Sequence, residues 1–169
     1  MKYSAGVLIS YDRAQMSLLG MPLERLYLFG HPTNHSWYGT WSIPKGEVDE
    51  RDGGSFLGAA LRETREEVGI QLSYKDIENP QSPIIIDYKS GGRIYKKVYV
   101  YKAHLTDLTP YAHLLNLETL QVKPEYLQLE EIDYASFMSV LTLEDKIFHR
   151  FIPLIAEELE KELEAFRNV

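Results

Sequence analysis

Residues 55–69 constrain the fold of this chain more than any other stretch. Leu57, Ala60, Leu61, Thr64 and Val68 recur at three- and four-residue spacing and form one apolar face of a helix. Ser55 offers a hydroxyl to cap its start. Gly69 suits the left-handed conformation that ends a helix. A helix with one apolar face must bury it against another layer, and strand-like runs supply that layer. Residues 3–11 hold Ala5, Val7, Leu8 and Ile9, the near-continuous apolar run of a buried strand. Residues 25–30 read as a second strand, paired with the first, after a turn at 21–24 that contains Pro22. Residues 41–43 read as a brief strand cut off by Pro44, and 45–54 as a polar loop. Residues 84–88 and 94–105 predict a long hairpin about Gly91 and Gly92. Its second arm places Tyr95, Tyr99 and Tyr101 on one face by the period of two, read first as cross-strand packing and second as a base-stacking platform. Residues 144–167 predict a long amphipathic helix. Phe148, Phe151, Ile155, Leu159, Leu163 and Phe166 form its stripe, Thr142 and Asp145 cap it, and Pro153 marks a kink or restart. Strands interspersed with helices predict an α/β or α+β sandwich.

The opposite edge of the first helix is acidic. Residues three and four apart share a helix face, so Glu63, Glu66 and Glu67 lie together. Like charges one turn apart, near the end where the helix dipole disfavours anions, cost stability. Arg62 offsets part of that cost by pairing with Glu66. Three convergent carboxylates suit a hard cation such as Mg²⁺, which takes oxygen ligands and keeps waters for a phosphate to displace. The plainer reading of an isolated Glu-x-x-Glu-Glu is a solvated acidic patch. The preceding Trp41-Ser42-Ile43-Pro44-Lys45-Gly46-Glu47 tells against it. Gly46 permits close backbone approach, so its carbonyl can point at a metal, and Lys45 can meet a phosphate as a point charge.

Residues 46–70 resemble the Nudix box, G-x5-E-x7-R-E-U-x-E-E-x-G-U with U aliphatic. Arg62, Glu63, Glu66, Glu67, Gly69 and Ile70 match at the required spacing, and Thr64 takes the first aliphatic position. The loop departs from the pattern. It is two residues longer, and Gly54 stands where the box has glutamate; Glu50 or Asp52 are the candidates to replace it. The resemblance implies an α/β/α sandwich with a mixed sheet and a long C-terminal helix. It also implies a pyrophosphohydrolase acting on a nucleoside diphosphate linked to another group. Mg²⁺, or Mn²⁺, would be held by Gly46, Glu63, Glu66 and Glu67. Glu63 and Glu67 would be catalytic, Lys45 substrate-binding, and Arg62 a structural partner of the carboxylates. Relatives can draw a base from outside the box, for which Asp107, Glu118 and Glu125 are candidates. Dinucleoside polyphosphates or related nucleotides are the favoured substrates, with nucleotide sugars, nucleoside triphosphates, dinucleotide cofactors and capped RNA left open, and a homodimer is in keeping with many relatives. The alternative is a Nudix-like module that binds a nucleotide without cleaving it, for which the absent carboxylate at Gly54 speaks.

Composition narrows the remaining classes. With 169 residues the chain reads as one domain, residues 1–169. It has no cysteine, which excludes disulfides, thiolate catalysis and cysteine–zinc sites. That also leaves an isoprenoid diphosphate isomerase without its usual chemistry. A net charge of -7 argues against a long nucleic acid as partner, but not against a small nucleotide held through divalent cations. No membrane span and no signal peptide are read, so a cytoplasmic location is expected. There is no Walker-type loop, no His-Glu-x-x-His and no G-x-G-x-x-G. His31 and His35 fall in a loop read as exposed, at the border of a pocket.

Overall fold

A computed structural model describes residues 1–14 and 23–167 of the chain. Strands β1 (Lys2–Ala14), β2 (Leu23–Pro32), β3 (Lys45–Glu47), β4 (Ile77–Glu78), β5 (Ile84–Ser90), β6 (Arg93–Leu105) and β7 (Ile132–Ser139) form one mixed sheet. Its order is β4-β6-β1-β2-β7, with β3 on β1 and β5 on β6. Among the described strands only the β1–β6 pairing is parallel. Helix α1 (Phe56–Val68) covers one face, and α2 (Val140–Leu143) and α3 (Ile152–Arg167) cover the other. This is the expected α/β/α sandwich.

The period of two explains the apolar run in β1. Ala5, Val7 and Ile9 pack into the α1 layer, while Leu8 packs into the α3 layer with Phe29, Val98, Val100 and Phe151. Both faces are covered, so both must be apolar.

Helix α1 forms as its sequence dictates. The Ser55 hydroxyl accepts the Gly58 amide, and Gly69 closes the helix at φ +74° with its N–H on the Arg65 carbonyl. A Cβ at Gly69 would meet the Cβ of Tyr126 at 3.1 Å. Gly69→Ala is therefore expected to cost about 1–2 kcal/mol, read as a lower midpoint in thermal unfolding. An unchanged midpoint would show that the cap is not constrained.

Three local expectations need correction. The brief strand at 41–43 is only a pair of isolated bridges, Trp41 to Ile147 and Ser42 to Gly30. Pairing with β1 begins only at Pro44, which has no N–H to give and whose carbonyl accepts from Val7 N at 3.3 Å. The C-terminal helix starts at Ile152 rather than at residue 144, with Pro153 in its first turn, where a missing N–H costs nothing. Residues 139–151 instead form α2, capped by Ser139 rather than by Thr142 and Asp145, and a 3-10 turn at His149–Phe151. Tyr95 leaves the face of Tyr99 and Tyr101, because a register shift at Tyr88/Lys89 inserts it as a bulge beside Tyr88. Tyr99 stacks on Phe56, with ring centroids 4.1 Å apart, so the packing reading holds for it. The turn residues Met21 and Pro22, and the Phe166 side chain, lie outside the described residues.

Candidate active site

The site lies where the carboxylate edge of α1 faces β3. Gly46 sits so close to Glu63 that a Cβ would fall inside the Glu63 carboxylate. Here the absence of a side chain is a steric requirement. Glu67 is buried and accepts the Lys45 amide at 3.1 Å. Burial pushes the Glu67 carboxyl up to about 8, aided by the charges of Glu63 and Glu131 and opposed by Lys45. Burial also raises Glu63 and lowers Lys45 from their ordinary values.

Arg62 organises the rest. Its Nε and Nη2 meet Asp52 Oδ1 and Oδ2 at 2.8 and 3.0 Å, a bidentate pair. Nη1 donates to Glu63 Oε1 at 2.9 Å and to Glu66 Oε2 at 3.1 Å, and Nη2 also donates to the Glu47 carbonyl at 3.1 Å. The longer loop is built to deliver Asp52. Asp49 and Asp52 cap a 3-10 turn at Glu50–Asp52, closed by Gly53 at φ +57°. Asp52, not Glu50, therefore stands against the arginine in place of the carboxylate missing at Gly54.

Among the described residues no three His, Cys, Asp or Glu side chains are arranged to hold a metal ion. Glu63 and Glu66 turn to Arg62, and Glu67 to the Lys45 amide. The donor set nevertheless suits a hard divalent cation: carboxylate oxygens and a backbone carbonyl, with the glycine cradle keeping Glu63 against β3.

Beside Glu67 opens a cavity of about 380 Å³ whose lining includes Lys45, Glu131, Lys96, Tyr88, Phe148 and His35. Lys96 is half-buried and pushed down to about 8 by burial, with Lys45 and Lys2 adding repulsion. Its ammonium lies 5.2 Å from the Tyr88 ring centre. Sequence reasoning missed Glu131, Lys96, Tyr88 and Phe148 as site residues, for no local motif marks them. Asp107, Glu118 and Glu125 are exposed, and none lines this cavity. Asp107 instead accepts from Thr109 N and Oγ1. Of the two histidines, His35 borders the cavity but His31 is 2% exposed, contrary to the loop reading.

The sandwich thus carries a glycine-crowded carboxylate edge locked by one arginine. A family model described as the NUDIX domain matches residues 11–157, and the chain belongs to the Nudix family of hydrolases. Solved structures that share the fold include the following three. The Caenorhabditis elegans Ap4A hydrolase, in a binary complex, is 19% identical with a TM-score of 0.55, over 93% of this chain and 99% of that one. The NUDIX domain of Shewanella oneidensis NrtR, complexed with ADP ribose, is 15% identical with a TM-score of 0.62, over 94% and 86%. A mutT/nudix family protein from Listeria innocua is 17% identical with a TM-score of 0.56, over 99% and 98%. No curated protein matches the chain significantly. Among the described residues no helix is long and apolar enough to cross a membrane.

Proposed function

We propose that residues 1–169 form a single catalytic domain, a divalent-metal-dependent pyrophosphohydrolase. It cleaves a phosphoanhydride in a nucleoside diphosphate linked to another group. The supporting observation is the run from Arg62 to Ile70 on one helix edge, facing Gly46 and opening beside Lys45 onto the cavity. Glu63, Glu66, Glu67 and the Gly46 carbonyl are the groups that would hold Mg²⁺, or Mn²⁺ in its place. Such a cation supplies positive charge to the phosphate oxygens and acidifies the attacking water. The chain's own groups do the rest. Lys45 places an ammonium against a phosphate oxygen. Glu63 or Glu67 takes the proton of the water that attacks phosphorus, and the departing phosphate carries away the electron pair of the broken P–O bond. Arg62 keeps two of the carboxylates in register.

The cavity supports a choice of substrate class. Two desolvated ammonium groups, on Lys45 and Lys96, beside the rings of Tyr88 and Phe148 suit several phosphates attached to an aromatic base. Dinucleoside polyphosphates are therefore favoured, as in the C. elegans hydrolase. A second reading is a nucleotide-binding module without turnover. The engagement of Glu63 and Glu66 by Arg62 favours it, as does the ADP ribose on the NrtR domain. Phosphate or nucleotide release from diadenosine tetraphosphate and ADP-ribose, with Mg²⁺ and with chelator, separates the two. Mg²⁺-dependent release is expected. Saturable binding with no release under either condition would establish the binding module instead.

A further inference from the structure

The cavity beside Glu67 is too small for the whole of the substrate favoured above. Its volume of about 380 Å³ is near the lower end of the range, about 300–1,000 Å³, in which proteins enclose one drug-sized ligand. A molecule with a nucleoside at each end of a polyphosphate fills it with one end and leaves the other outside.

The β5–β6 hairpin leads away from the cavity at Tyr88 and Lys96, which line it. In a chain of net charge -7, residues 84–97 carry Lys89, Arg93, Lys96 and Lys97 against one carboxylate, Asp87. Asp87 is taken up by Lys97, at 3.1 Å. Among the described residues neither Lys96 nor Arg150 has a carboxylate partner. Their cationic groups lie instead 5.2 and 4.8 Å from the centre of the Tyr88 ring. Arg150 is fixed there by Nη2, which donates to the Lys89 carbonyl at 3.2 Å. Phosphates that leave the cavity past Tyr88 meet these two charges.

The register shift in the hairpin adds a ring at the same point. Tyr88 pairs with Lys96 and Lys89 with Ile94, so Tyr95 is the extra residue of a bulge. Bulges re-aim side chains. This one sets the Tyr95 ring edge-on to Tyr88, with centroids 6.1 Å apart and planes at 75°. Tyr88 is buried, whereas Tyr95 is 47% exposed, so Tyr95 offers a ring on the outer side of the cavity residue. Trp37 and Tyr38 are exposed as well. The segment that carries them is bonded to Asp133, Glu131 and Asp145, acids that repel a polyphosphate.

We propose that Tyr95 is a specificity-determining residue: it forms an outer subsite on which the second nucleoside of a dinucleoside polyphosphate stacks, after the phosphates have passed Lys96 and Arg150. The inference rests on the cavity being the substrate site, as argued above. Stacking needs only the face of a ring, so Tyr95→Phe keeps the subsite and Tyr95→Ala removes it.

Equilibrium binding of diadenosine tetraphosphate and of adenosine 5′-tetraphosphate, with Ca²⁺ in place of Mg²⁺, tests this. The two ligands have the same number of phosphates and differ in the second nucleoside. Wild type and Tyr95→Phe are expected to bind the dinucleotide roughly tenfold more tightly than the mononucleotide, and Tyr95→Ala to bind the two about equally. A preference that survives in Tyr95→Ala overturns the subsite. Affinity lost equally for both ligands, with the preference kept, does so too, for it means that the ring only supports Tyr88. No preference in the wild type, or tighter binding of a 5′-triphosphorylated oligoribonucleotide than of the dinucleotide, also overturns it. A preference that depends on Tyr95, with no hydrolysis in Mg²⁺, would sink the hydrolase reading and leave this one standing. Hydrolysis of the dinucleotide with a preference indifferent to Tyr95 would do the reverse.

Discussion

Glu67→Gln is expected to lower kcat by at least about 10²-fold, or some 2.7 kcal/mol of transition-state stabilisation, while making the metal-free protein more stable. The two effects have one cause. Glu67 is a carboxylate buried beside Glu63 and within reach of Glu131, and its folded-state pKa of about 8 lies well above its ordinary 4.5. Between those values the folded chain holds a proton that the unfolded chain has released. Folding stability therefore falls as pH rises from about 4.5 to about 8. Glutamine keeps the acceptor for the Lys45 amide and removes the charge. The gain in thermal midpoint over wild type is thus expected to be small at pH 5 and larger at pH 8, in chelator. Saturating Mg²⁺ is expected to stabilise the wild type and leave the variant unmoved. A variant that melts lower than wild type at pH 8 in chelator would mean that Glu67 is structural.

Arg62→Ala is expected to cost about 3–5 kcal/mol of stability. The guanidinium is nearly buried and satisfies Asp52, Glu63, Glu66 and the Glu47 carbonyl at once. Its removal leaves the almost fully buried Asp52 carboxylate and the half-buried Glu63 without a cation. Arg62→Lys should recover only a small part of that loss, because one ammonium cannot make the bidentate pair with Asp52 and still reach two glutamates. Asp52→Asn should fall between wild type and Arg62→Ala, since Glu63 and Glu66 keep their partner. Chemical denaturation in chelator orders the four proteins. If Arg62→Ala unfolds at the wild-type denaturant concentration, the arginine does not hold the site together.

The parts of this site that were legible in the sequence are those one helix carries. Spacing alone puts Glu63, Glu66 and Glu67 on one edge, and Ser55 and Gly69 mark the helix ends because their roles are local. The role of Asp52 was open between two residues. Deciding it required the 3-10 turn and the left-handed Gly53, which bring one carboxylate back to Arg62 and leave the other outside. Glu131, Lys96, Tyr88 and Phe148 reach the cavity from three distant segments, and only the sheet pairing and the α3 layer bring them together. The errors have the same origin. Pro44 breaks a strand in isolation but begins the β1 pairing once β1 lies beside it. Pro153 reads as a kink until the preceding residues are seen to pack as separate turns. His31 reads as a loop residue until β7 supplies Asp133.

Uptake of Mn²⁺, followed as loss of its free-ion electron paramagnetic resonance signal, tests the placing of a divalent cation on this helix edge most directly. The intact wild-type chain is expected to deplete the signal, and a chain carrying both Glu66→Gln and Glu67→Gln is expected to leave it nearly unchanged. Equal uptake by the two chains, or none by either, would contradict a metal held by these carboxylates.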